Sequence, residues 1–177
     1  DGEVLAEVPA IVQYLADLKP ESGLAPANGS MARYRLQEWL AYIGTEIHKS
    51  YSPLFNPATP DSVREDRAAY LLRRYGLIEQ TLAKQPYLLG EQFSVADVYL
   101  FVVTNWARMV KLDLSAFPAL QAFQVRIAAR PAVQAALRAE QDRLVASLAS
   151  LACGGVVTLC PRPQRALGHC VALARVW

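Results

Sequence analysis

The chain has 177 residues, with 18 Lys and Arg against 16 Asp and Glu, a formal net charge of +2. That length suits one ordinary domain or one domain plus part of another. So small a charge gives no electrostatic footprint for nucleic acid or a membrane surface, and no apolar run is long enough to span a bilayer. Hydrophobic residues make up 53% and charged residues 19%, ample material for a core. The first residue is Asp and no leader is visible, which reads as a fragment or a processed product. Cys153, Cys160 and Cys170 all lie near the C-terminus, so the main body has no disulfide framework, in keeping with a reducing cytoplasm.

Residues 1–5 open with Asp-Gly, a hairpin-turn pair, and Val4 and Leu5 predict a short edge strand. Pro9 suits a first helical turn, and Ile11, Leu15 and Leu18 follow at helical spacing. Residues 19–29 are rich in Pro and Gly without periodicity and read as a linker. Ser30 predicts the cap of a helix reaching about Ser50, with Leu36, Leu40, Ile43 and Ile47 on one stripe. Pro53, Pro57 and Pro60 predict a loop over residues 51–60. Ser62 and Glu65 predict a capping box opening a helix to about Lys84, with Leu71, Leu72, Tyr75, Ile78 and Leu82 inward.

The strongest local signal is Phe93-Ser94-Val95-Ala96-Asp97-Val98. Ser94 and Asp97 have capping-box spacing, and Phe93 and Val98 have the spacing of a hydrophobic staple. Beyond the cap the sequence is apolar nearly all round through Trp106, the pattern of a helix buried in the middle of a domain. Loss of the Asp97 carboxylate is predicted to cost about 1–2 kcal/mol, as cap losses do. Two more helices follow from Pro118 to Ala129 and from Pro131 to Leu148. After Glu140 lysine disappears and Asp142 is the last acid, while Arg143, Arg162, Arg165 and Arg175 carry the charge. The fold class is therefore mainly α: a helical bundle over residues 30–140, preceded by a strand-helix piece and followed by an atypical tail, residues 141–177.

Chemistry concentrates at Thr45-Glu46-Ile47-His48-Lys49. A helix end carrying His48 and Lys49 is either a solvated terminus favoured by the helix dipole or a site for an anionic small molecule. Tyr51, Phe55 and Trp106 supply apolar walls for a pocket, Trp106 being equally suited to a core. Glu7 before Pro9 either offsets a helix dipole or grips an amino group. The spacings of Cys153, Cys160, His169 and Cys170 match no common zinc pattern, so no metal site is predicted. Neither a Gly-rich phosphate loop nor a His-Glu-x-x-His motif is present.

Several stretches together resemble the bacterial beta-class glutathione transferases. They are Glu7-Val8-Pro9-Ala10-Ile11-Val12-Gln13-Tyr14-Leu15, Tyr34-Arg35-Leu36-Gln37-Glu38-Trp39-Leu40, Thr45-Glu46-Ile47-His48-Lys49-Ser50, Tyr87-Leu88-Leu89-Gly90, residues 93–101, Asn105-Trp106-Ala107 and Arg126-Ile127-Ala128-Ala129-Arg130-Pro131. The likeness covers residue 1 to about 140. It implies that residues 1–18 are the last strand and helix of a thioredoxin-like domain, residues 19–29 the linker, and residues 30–140 the helical domain. It also implies glutathione as co-substrate with no tightly bound cofactor, a hydrophobic electrophile as second substrate, a homodimer in the complete protein, and a cytoplasmic setting without nucleic acid or membrane.

By the same resemblance Glu7 and Val8 hold the γ-glutamyl end of glutathione. Thr45, Glu46, Ile47, His48 and Lys49 face its thiol, and Tyr51, Phe55 and Trp106 face the electrophile. Ser94 and Asp97 are structural. The family's catalytic cysteine falls outside the matching stretches, so no catalytic residue is assigned and the chain alone is expected to be inactive or weak. Val8 stands where the family has Ser or Gly, and Ala41 where it has an Asn contact. The tail resembles nothing in the family and suggests out-of-frame translation or a fusion. Two other readings are a non-catalytic helical module for protein association and a glutathione-dependent isomerase or dehalogenase on the same fold.

Overall fold

The computed structural model describes residues 3–152. Its helices are α1 (Val8–Asp17), α2 (Met31–Tyr42), α3 (Lys49–Phe55), α4 (Asp61–Leu82), α5 (Val95–Met109), α6 (Pro118–Ala128) and α7 (Pro131–Ala152). A 3-10 turn, Pro20–Ser22, follows α1, and a π-helical segment, Ile43–His48, joins α2 to α3. The chain divides into two compact units, Asp1–Ile127 and Ala128–Trp177.

In the first unit α5 is the central element. Val95, Ala96, Asp97, Tyr99, Leu100, Phe101, Val102, Val103, Thr104, Trp106 and Ala107 are all buried. A helix apolar around its whole circumference needs neighbours on every side. Leu36, Leu40, Ile43 and Ile47 supply one wall, and Leu71, Tyr75 and Ile78 another, each essentially inaccessible. The α2 stripe thus behaves as its spacing predicts, and so do the inward residues of α4, apart from half-buried Leu72.

The start of α5 is fixed by Asp97. One carboxylate oxygen accepts from the Ser94 N–H and the Ser94 hydroxyl, both at 2.8 Å. The other accepts from the Leu88 N–H at 2.8 Å, so the cap also pins the tight turn Tyr87–Gly90. The capping box is present, as its spacing predicts. Phe93 makes its ring contact with Tyr87, centroids 5.6 Å apart.

Helix α1 joins this unit through polar contacts. Arg33, 4% exposed, grips Asp17 with two hydrogen bonds of 2.9 and 2.7 Å. It also donates to the Pro26 carbonyl and to Gln13, and Gln13 donates to the Pro9 carbonyl. Ala16 is the buried residue of α1. Ile11 and Leu15 are half-buried and Leu18 is exposed.

Four sequence expectations are corrected. Residues 3–6 form no strand; Val4 is 90% exposed, and no described strand lies alongside to pair with it. The helix from Ser30 does not run as one α-helix to Ser50; it widens into the π turn at Ile43. Residues 51–55 are helical despite Pro53, because burial of Tyr51 and Leu54 offsets the one backbone bond Pro53 cannot donate. Helix α4 begins at Asp61, directly after Pro60, so Ser62 lies inside it and caps nothing. In the second unit α7 continues unbroken through residue 141, where the composition changes. Cys153, Cys160, His169 and Cys170 lie outside the described residues.

Candidate functional site

Helix α1, the π segment and α5 meet around Gly44. A Cβ placed on Gly44 would stand 3.6 Å from the Tyr99 hydroxyl and 4.0 Å from the ring of Pro9. The backbone of the π segment therefore runs close to both helices. This brings the start of α1, with Glu7 and Val8, toward the end of the π segment, with His48.

Glu7 is the N-cap residue of α1, with φ 69° and ψ 121°. A positive φ on a non-glycine residue is strained, and this ψ lies outside the left-handed helical well. The Glu7 carbonyl accepts from Ala10 and Ile11 at 3.0 Å, so the strained residue is fixed by the first turn of α1. Its side chain is exposed.

His48 is the most constrained of the predicted site residues. Its Nδ1 lies 2.6 Å from the Tyr99 hydroxyl. Its ring meets Trp106 edge to face, centroids 4.8 Å apart, and Tyr99 at 5.7 Å. Burial pushes its pKa below the ordinary histidine value; the Glu7 carboxylate opposes that shift and the Lys49 ammonium adds to it. His48 therefore feels Glu7 across forty-one residues of sequence.

The neighbours of His48 divide into two groups. Tyr51, Phe55 and Trp106 come together as an aromatic cluster, with Tyr51–Trp106 centroids at 5.8 Å and Phe55–Trp106 at 5.6 Å. Tyr51 has no exposed surface and backs the cluster from inside, bonded to the Tyr75 hydroxyl at 2.9 Å. Burial pushes both phenols up, Tyr75 to about 12. Phe55 is half-buried and gives the cluster an accessible edge.

Glu46 turns the other way, toward α4. Tyr70 donates a short hydrogen bond to it, and Arg74 Nε pairs with it at 2.8 Å. The Tyr70 hydroxyl, helped by the Arg74 charge, holds its carboxyl below the usual range. Thr45 is exposed and donates to the Ala41 carbonyl at 3.0 Å. Ile47 is wholly buried, and Lys49 is exposed. Ser94 and Asp97 sit in the core at the cap.

Tyr99, Tyr70 and Arg74 are absent from the residues the sequence singles out. A signal existed for Tyr99, since a phenol inside an otherwise apolar helix must find a partner for its hydroxyl. Tyr70 and Arg74 carried no such mark on a helix dense in charge. No group of three or more potential metal ligands occurs among the described residues. A groove of about 330 Å³ lies elsewhere, between Trp39 of α2 and the Gln85–Gln92 turn, and none of the predicted glutathione contacts line it.

The family described as "Glutathione S-transferase, C-terminal domain" matches residues 42–131, a span containing the π segment, the aromatic cluster and the α5 cap. Glutathione S-transferase GstA of Escherichia coli O157:H7 is 43% identical over 140 residues, 79% of this chain and 70% of that protein. The structure of BphK, a bacterial GST solved as a ternary complex, superposes with a TM-score of 0.79 at 56% identity, covering 80% of this chain and 70% of BphK. A bacterial beta-class enzyme from Sphingomonas chungbukensis gives 0.75 at 44% identity, over 78% of this chain and 69% of its own. Matches of that extent show that the chain belongs to the glutathione S-transferase family and stands close to its bacterial beta class.

Proposed function

We propose that this chain carries the helical, electrophile-facing part of a glutathione transferase, with Glu7 and His48 bordering the glutathione thiol and Phe55 and Trp106 lining the apolar cleft. The observation that supports this most is the convergence of Glu7 and His48. They come from distant parts of the sequence, yet the start of α1 packs beside Gly44 of the π segment, and the Glu7 charge opposes the burial that lowers the His48 pKa.

The reaction needs a thiolate near neutral pH and an apolar place for its partner. The thiolate sulfur attacks an electrophilic carbon, a carbon–sulfur bond forms, and the leaving group departs with its electron pair. His48, kept neutral by burial, offers a hydrogen-bond donor to the sulfur, and Lys49 adds a positive charge beside it. Val8 has no hydroxyl, so its backbone N–H is left to take a ligand carboxylate at the helix start. The complete enzyme works as a cytoplasmic homodimer in this reading, and residues 1–18 belong to a thioredoxin-like domain.

The same reading makes this chain weak alone, because it has no cysteine before Cys153. Turnover of 1-chloro-2,4-dinitrobenzene with glutathione by the purified chain is expected to stay near the uncatalysed rate. Turnover at the level of a complete transferase would refute the proposal.

A further inference from the structure

The contact between α5 and the π segment carries an inference about how His48 is held, and it rests on the reading of His48 as a site residue. We propose that Tyr99 is the positioning residue for His48: its hydroxyl donates to Nδ1, fixes the neutral imidazole in the tautomer with the proton on Nε2, and so presents a hydrogen-bond donor at the other ring nitrogen.

The argument begins with distance. Tyr99 Oη and His48 Nδ1 are 2.6 Å apart, at the short end for a bond to an aromatic nitrogen. Of the two groups the phenol is the stronger acid, and a neutral imidazole nitrogen is the stronger base, so the bond in which the phenol donates is the stronger of the two possible directions. With Nδ1 accepting, the ring proton must sit on Nε2.

The surroundings keep the ring neutral and still. His48 is half-buried between Tyr99 and Trp106, whose rings stand at 73° and 82° to it. The charges that bear on it are Glu7 at the start of α1 and Lys49 beside it, which oppose one another. From α4, Tyr70 and Arg74 are committed to Glu46.

The positioner is itself anchored. Tyr99 is 4% exposed and lies two residues after Asp97, whose carboxylate locks the first turn of α5. Gly44, four residues before His48, keeps the backbone close to the same hydroxyl. Orientation of the imidazole thus runs from the cap, through the rigid helix, to one phenol.

The test is nitrogen-15 NMR of the histidine side chains in the ligand-free chain, with the His48 signals identified by their loss in His48→Gln. Wild-type His48 is expected almost wholly as the Nε2–H form above its titration. Tyr99→Phe keeps the ring packing and removes the hydroxyl. It should shift the tautomer ratio by roughly threefold or more, the scale of one net hydrogen bond. A wild-type spectrum with the proton on Nδ1 would overturn the proposal without any variant, and so would an unchanged ratio in folded Tyr99→Phe. Neither readout uses glutathione or turnover, so failure of the conjugation reading leaves this result to stand or fall separately.

Discussion

Asp97 and Asp17 are both carboxylates gripped by donors, yet their acidities move in opposite directions, because burial dominates at Asp97 and the Arg33 guanidinium at Asp17. Asp97 is wholly buried, and desolvation raises its pKa to about 6 in spite of its hydrogen bonds from Leu88 and Ser94. The folded chain then holds a proton that the unfolded chain releases between pH 4 and 6. Its contribution is complete below the ordinary value of 3.8 and declines as pH rises through about 6, by roughly 3 kcal/mol at most. Urea unfolding at a series of pH values should show that decline, and Asp97→Asn should flatten it. Asp97→Ala leaves three buried donors without an acceptor, so about 2–4 kcal/mol is expected, above what a simple cap loss gives. Asp17 behaves in the ordinary sense: the Arg33 guanidinium holds its pKa low. Its contribution is present above the unfolded value and disappears as pH falls through the folded one.

At the scale of elements, the structure shows why some starts and stops are readable and others are not. The Ser94–Asp97 cap spans three residues, and its partners are named by the sequence itself. Helix α6 is capped from far away: Glu79 of α4 accepts from the Ala119 and Leu120 N–H groups, both at 2.9 Å. Its sequence start shows only Pro118, and the acid that completes it lies forty residues earlier. Glu79→Ala should cost about 1–2 kcal/mol in thermal or urea unfolding, and an unchanged melting temperature would remove this cap role. The Ser62–Glu65 pair has the right spacing and fails because the chain is already helical from Asp61. Val4 and Leu5 have strand-forming character, but a strand needs a neighbour that local pattern does not supply. In the candidate site, the residue types at Glu7, His48 and Lys49 were legible. That Tyr99 serves His48 and Tyr70 serves Glu46 was not, because those pairs are 51 and 24 residues apart.

Across the whole first unit, the position of α1 depends on a buried guanidinium more than on apolar area. Arg33 reaches Asp17, Gln13 and Pro26, while Ala16 is the buried side chain of the helix itself. Arg33→Met should therefore loosen α1 without melting the bundle. Amide hydrogen exchange over residues 11–17 is expected to speed up about tenfold or more, with the α5 amides unchanged. Uniform acceleration of both regions would mean that α1 and the bundle open together. Because Glu7 caps α1, the same contact governs how constantly its charge bears on His48.

The π turn at Ile43–His48 has a bearing on how this family's members can diverge. A π turn holds more residues than an α turn, so the helix that follows starts from a displaced angular register. Exchanging one side chain for another does not alter that count. Removing a single residue would let the wide turn close to an α turn, so the rotation of about 100° that a deletion imposes on a plain α-helix is largely absorbed, and His48, Tyr51 and Phe55 keep their side toward α5. In alignments of related chains a one-residue gap should thus be tolerated in this stretch and not in the α-helices on either side of it.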